Sequence, residues 1–202
     1  MRHHLSRVKV KHLTIPANQT SINFDVLTGA LTDLVIVGLV SDADLAGGYQ
    51  RNPFDFKNFG VNRIEMTRNG TSVPRGGYTP NFANGQYLKA YSMFLQKVEC
   101  DTGDKSISLT PSESANGYTL YAFKITDGRI WSGTIGHRSK STTGSAYLEV
   151  SFAARENENI KVIVYYQSPG SIEFYQFKAV FVLWAVVADF TQGRLIVWSQ
   201  GY

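Results

Sequence analysis

An all-β chain folded as an antiparallel sandwich of two sheets, with one short helix and long loops, is the fold that three features of the sequence predict. Short stretches of alternating apolar and polar residues recur along most of its 202 residues, and alternation of period two puts one face of a strand on a core and the other in water. The composition, with 18 Gly, 11 Tyr and 12 Phe, favours strands and turns over helices. Finally, Asn69-Gly70 separates two strand-like runs. That dipeptide readily takes both positive-φ positions of a two-residue hairpin turn. At 43% hydrophobic, the chain can fill the core of one domain. The sandwich is expected over residues 1–176, with 177–202 an apolar C-terminal extension.

In order, Leu5 to Ile15 alternates as Val8, Val10 and His12 against Arg7, Lys9 and Lys11 and stops at Pro16, which predicts a strand with the first set inward. Ser21 to Val26 repeats the pattern with Ile22, Phe24 and Val26 inward, then breaks at Thr28-Gly29. Leu34 to Val40 is continuously apolar and β-branched, as in a strand covered on both faces. Asn52-Pro53-Phe54-Asp55-Phe56, with Phe59 close behind, suits an irregular segment pinned to a core by its rings. In the hairpin, Ile64 and Met66 are expected inward, Arg63 and Glu65 outward, and Thr71 to Val73 returns antiparallel. Tyr87, Leu88, Tyr91, Phe94 and Leu95 fall at helical spacing within Gln86 to Lys97, predicting the short helix across an end of the sheet. Val98 to Asn116 is polar and reads as an exposed loop. Tyr118 to Ile125 resumes strand alternation, with Thr119, Tyr121, Phe123 and Ile125 on one side. Asp127 to Gly144 is a loop rich in Gly, Ser and Thr. Tyr147 to Ala153 and Ile160 to Gln167 read as a strand pair across the turn Arg155 to Asn159, and Ser171 to Phe177 adds Ile172, Phe174 and Gln176. Regularly spaced strands joined by large loops make the sandwich one of jelly-roll kind.

Charge and cysteine content narrow the function classes. The net charge of +4 is spread over Lys9, Lys11, Arg63, Arg68, Lys89, Lys124, Arg138 and Lys161, which reads as solvated faces rather than a stripe for specific nucleic acid. The single Cys100 cannot form an internal disulfide, as suits a reducing compartment. The N-terminus has no apolar run, so an intracellular chain without a signal peptide is expected. The apolar run Phe177 to Ala188 is shorter than the ~20 residues of a membrane-spanning helix.

No residue pattern carries catalysis, a cofactor or a metal. His3, His4 and His12 lack nearby carboxylates or cysteines to complete a metal site. Asp42-Ala43-Asp44 before Gly47-Gly48 lacks the third acid and closing Glu of a calcium loop and reads as a turn. His137 has no partner acid at a spacing that builds a triad. Cys100 lies between Glu99 and Asp101, an acidic setting unsuited to a nucleophilic thiol. Phosphate-cradling glycine loops are absent from the sequence.

The set Val37-Gly38-Leu39-Val40, Asn52-Pro53-Phe54-Asp55-Phe56, Pro80-Asn81-Phe82, Tyr87-Leu88-Lys89-Ala90-Tyr91, Gly117 to Phe123, Leu148 to Ala153 and Ile160 to Tyr165 resembles, in order and spacing over roughly residues 33 to 176, hexon-type major capsid proteins of Maverick (Polinton) elements and adintoviruses. The resemblance implies a structural virion protein without enzymatic activity. Relatives carry two jelly rolls and assemble as trimeric capsomers. A chain with room for one corresponds to the C-terminal roll, as a fragment or an endogenous viral-element copy, with self-association or other capsid subunits as partners. Two other readings stand beside it: a carbohydrate- or ligand-binding jelly-roll module, and a domesticated host protein with a partner of its own.

Overall fold

The computed structural model describes residues 2–100, 107–125, 143–174 and 180–183, with side chains for 7–100, 107–125 and 143–167. The chain divides into two compact units, residues 8–168 and residues 1–7 with 169–202.

The strands are β1 (Arg2–Ile15), β2 (Ser21–Ala30), β3 (Leu34–Ser41), β4 (Val61–Arg68), β5 (Thr71–Tyr78), β6 (Leu120–Lys124), β7 (Thr143–Phe152), β8 (Ile160–Phe174) and β9 (Val180–Leu183). One sheet has the order β1-β8-β3-β6 and the other β2-β7-β4-β5. The first four strands alternate between the two sheets, and β8 inserts between β1 and β3 as β7 does between β2 and β4. That is the double Greek key of a jelly roll. The expected all-β, two-sheet architecture is therefore observed. In the unit of residues 1–7 and 169–202, the end of β8 pairs antiparallel with β9, from Ser171 opposite Leu183 to Phe174 opposite Val180.

The hairpin forms as its turn chemistry dictates. Asn69 and Gly70 have φ of 46° and 81°, Arg68 lies opposite Thr71, and Ile64 and Met66 are fully buried. The return strand runs on to Tyr78 by absorbing Pro74 to Gly77 in an irregularity between Ile64 and Met66. There Gly77 lies against Glu65: a Cβ added to it would sit 2.9 Å from that of Glu65. Glu65 is consequently buried instead of exposed, and Arg63 closes on it through Nε (3.1 Å) and Nη2. Its carboxyl is held below the usual range by a hydrogen bond from Ser72 and by Arg63.

Four other expectations are corrected. The β2 strand passes through Thr28-Gly29 without a break, since its pairing with β7 continues to Ala30 opposite Thr143. Strands β7 and β8 are not hydrogen-bonded neighbours. Their apolar faces meet across the core from opposite sheets, because in this topology a short link crosses between the sheets. The third correction concerns helices. The expected one forms as α2 (Leu88–Lys97), beside β6, but α1 (Asp42–Leu45) and α3 (Pro111–Ala115) join it. The supposed loop from Val98 to Asn116 holds α3 because Thr110 and Glu113 form a capping box and Pro111 takes the first helical position. The fourth is the face of β1. Ile15 is buried and Leu13 packs on the core, so period two places Val8, Val10 and His12 outward. On the inner side Lys11 reaches over β2, its Nζ donating to the carbonyls of Asp25 (3.0 Å) and Val26 (3.5 Å).

The core between the sheets is formed by Val35, Val37 and Leu39 of β3, Tyr121 and Phe123 of β6 and their counterparts on the opposite sheet. Tyr78 meets Tyr121 and Phe123 edge-on at 5.7 and 5.3 Å, and its hydroxyl donates to the Ala122 carbonyl.

Candidate functional site

Among the described residues no group of three or more His, Cys, Asp or Glu is placed to hold a metal ion. His12 is exposed on β1. Asp42 and Asp44 open α1, where Asp44 is committed to protein cations: its Oδ1 meets Arg51 Nη1 at 3.1 Å and its Oδ2 meets Lys57 Nζ at 2.9 Å. The hydrogen bond from Lys57 leads the effects holding the Asp44 carboxyl below its ordinary range. Cys100 is half-buried, with its Sγ 3.5 Å from the Val98 carbonyl. The side chains of His3 and His4, the whole of His137, the loop over residues 127–142, and all of the run Phe177 to Ala188 except the β9 backbone lie outside the described residues.

The aromatic run at residues 52–59 separates into three roles. Phe59 is buried at a φ of 43°. Phe56 is half-buried, and its backbone joins the strand leading into β6, donating to the Gly117 carbonyl (2.8 Å) and accepting from Thr119 N (2.8 Å). Phe54 is 69% exposed, on a loop whose backbone is fixed by the Asn52 side chain, which accepts from Phe54 N at 3.0 Å. Only one of the three rings is therefore a core anchor.

The outer faces of the two sheets differ in kind. On the β2-β7-β4-β5 sheet, Asp25, Tyr147 and Thr67 line up across three strands, and beside them Asn23 and Glu149 lead to Glu65, which alone is covered, by Gly77 and Arg63. This is a polar face of the sort an antiparallel sheet turns to water. On the other sheet the outward rows are apolar: Ala122, Ile36 and Tyr165 in one, Leu120, Gly38 and Ile163 in the next. The β6 side of this face is covered. A Cβ added at Gly38 would lie 2.6 Å from Phe56 Cδ1 and 2.9 Å from Leu120 Cδ2, so glycine there lets the Phe56 ring lie on the sheet. Helix α2 packs beside β6. Towards β1 the face opens: Ile163 and Tyr165 are half-buried, and Val8 and Val10 are 56% and 63% exposed. At its end Lys161 is tied to Thr14 Oγ1 (2.7 Å) and Asp42 (3.3 Å), leaving the strip of valines, Ile163 and Tyr165 without a charge of its own on β8.

No family model matches the chain. A Caenorhabditis elegans protein described as "Uncharacterized protein F54H12.2" is 28% identical over 102 residues, which is 48% of this chain and 24% of that protein. The chain thus spans about a quarter of that relative's length. Among solved structures, a chain of the Sputnik virophage superposes over 96% of this chain and 42% of its own length, with a TM-score of 0.40 and 12% identity.

Sequence reasoning missed the outward valines. The signal was present in Leu13 and Ile15, which lie on the opposite parity to Val8 and Val10 and are nearer the point where the strand enters the sandwich. Reading parity from the buried end of the strand gives the observed face. Among the described residues, no helix is long and apolar enough to cross a membrane.

Proposed function

We propose that the chain is a structural, capsid-like subunit: one jelly roll of a hexon-like major capsid protein, assembling with copies of itself or with other capsid subunits in a trimeric capsomer of the virion. On this reading residues 1–176 make the roll, 177–202 are an appended extension, and the chain is a C-terminal-roll fragment or endogenous viral-element copy with no catalytic role. The observation that carries the reading is the apolar outer face of the β1-β8-β3-β6 sheet. A sandwich that works alone turns both outer faces to water, whereas subunits that build shells keep an apolar face for their neighbours. The resemblance of the ordered motifs to those of Maverick and adintovirus capsid proteins supports the same assignment, and the jelly-roll topology is compatible with it.

The carbohydrate-binding reading has one observation of its own, the exposed ring of Tyr147 between Asp25 and Thr67 on the polar sheet face. A glycan panel separates the two. Electron microscopy and light scattering of the purified chain are expected to show discrete oligomers and no saturable sugar binding. A monodisperse monomer that binds one sugar specifically would overturn the assignment.

A further inference from the structure

Asp33 closes the link between β2 and β3 at one end of the sandwich. It is only 7% exposed, and among the described residues its enclosed Oδ2 has no hydrogen-bond partner. Its backbone carbonyl accepts from Ile125 N at 2.8 Å, which fastens the start of β3 to the end of β6. The Ile125 carbonyl in turn accepts from Arg68 Nη1 of β4, so strands of both sheets meet at this joint. The charged and titratable groups around it, among the described residues, are few. Lys124 on β6 stands one residue beyond, opposite Leu34, with its ammonium 3.5 Å from Glu99. Arg68 is engaged with Ile125. On β8, Tyr166 lies opposite Val35. None of them reaches Asp33 Oδ2. Burial therefore outweighs the attraction of Lys124, and the carboxyl is raised from 3.8 to about 6.

We infer that Asp33 is a proton-operated latch: its carboxyl is neutral when the β2–β3 link is seated, and its ionisation loosens the joint that holds β3 to β6. An uncharged acid costs far less to bury than an unpaired carboxylate. The folded chain holds this proton more tightly than the unfolded chain does. Its contribution is thus fully present below the ordinary carboxylate value and is lost as pH rises through about 6. A subunit so built is tightest in mildly acidic surroundings and looser near neutrality, the reverse of a carboxylate held in an ion pair.

The test is a pH titration of the Asp33 carboxyl carbon by NMR in the full chain, paired with denaturation of Asp33→Asn. The expected midpoint is near 6. The folding equilibrium of the Asn variant should match wild type near pH 4 and exceed it by up to about a hundredfold near pH 7. An Asp33 midpoint near 4, measured on the wild-type chain and so independent of how any variant folds, would overturn the proposal. So would an Asn variant that folds but gains nothing at neutral pH.

Discussion

Gly70 and Phe59 both sit at positive φ, but they answer to different forces. No atom lies within 4 Å of where a Gly70 Cβ would be, so Gly70→Val meets backbone strain rather than a clash. It should lower stability by about 1–2 kcal/mol in urea denaturation. Phe59 is held in its strained conformation by burial, and Phe59→Ala should cost about 3–5 kcal/mol. Phe54→Ala, at an exposed ring, should stay within about 0.5 kcal/mol. Equal losses for the two phenylalanines in the same assay would contradict the separation of roles. Residue identity alone made Phe54, Phe56 and Phe59 look equivalent. An irregular segment has no period from which to read which ring turns inward, whereas Ile64 and Met66, inside a strand, were legible.

At the scale of elements, the loop between α1 and β4 depends on Asp44. Arg51 and Lys57 close on it from the chain that follows, and Lys57 also lies 3.5 Å from Asp55. Asp44→Asn should lower stability by about 1–2 kcal/mol at neutral pH, between an exposed ion pair and a buried hydrogen bond to a charged group, because Asp44 is covered while Arg51 and Lys57 are half-exposed. Because the folded-state value is depressed, this stabilisation is present above the ordinary carboxylate range and fades as pH falls through the folded value. The gap between wild type and variant, followed by thermal melts, should accordingly close in acid. A gap independent of pH would point to packing instead of charge. Period-two patterning revealed most of the strands and the apolar character of their faces, but it could not say which sheet a strand joins. That is why β7 and β8, adjacent in sequence and matched in pattern, read as a pair although they face one another across the core. Thr110, Pro111 and Glu113 carry the spacing of a capping box, but they stand in a segment whose polarity alone reads as loop.

For the whole molecule, the decisive asymmetry is between a polar outer face on one sheet and an apolar outer face on the other. The asymmetry arises from pairings between residues far apart in the chain, as where Ile36 meets both Ala122 and Tyr165. No local pattern announces it. If the apolar strip is an assembly face, charges placed on it should abolish association without unfolding the roll, because Val8 and Val10 are largely exposed and contribute little to the core. The apolar run from Phe177 could drive non-specific association, so a chain ending at Gln176 serves as the control. The most direct measurement is sedimentation velocity of the full chain, of that shortened chain, and of each carrying Val8→Lys with Val10→Lys, alongside their melting temperatures. The account predicts discrete oligomers that survive the shortening and revert to monomer with the two lysines, at unchanged melting temperature. A monomer throughout, or association that disappears with residues 177–202 and ignores the lysines, would contradict it.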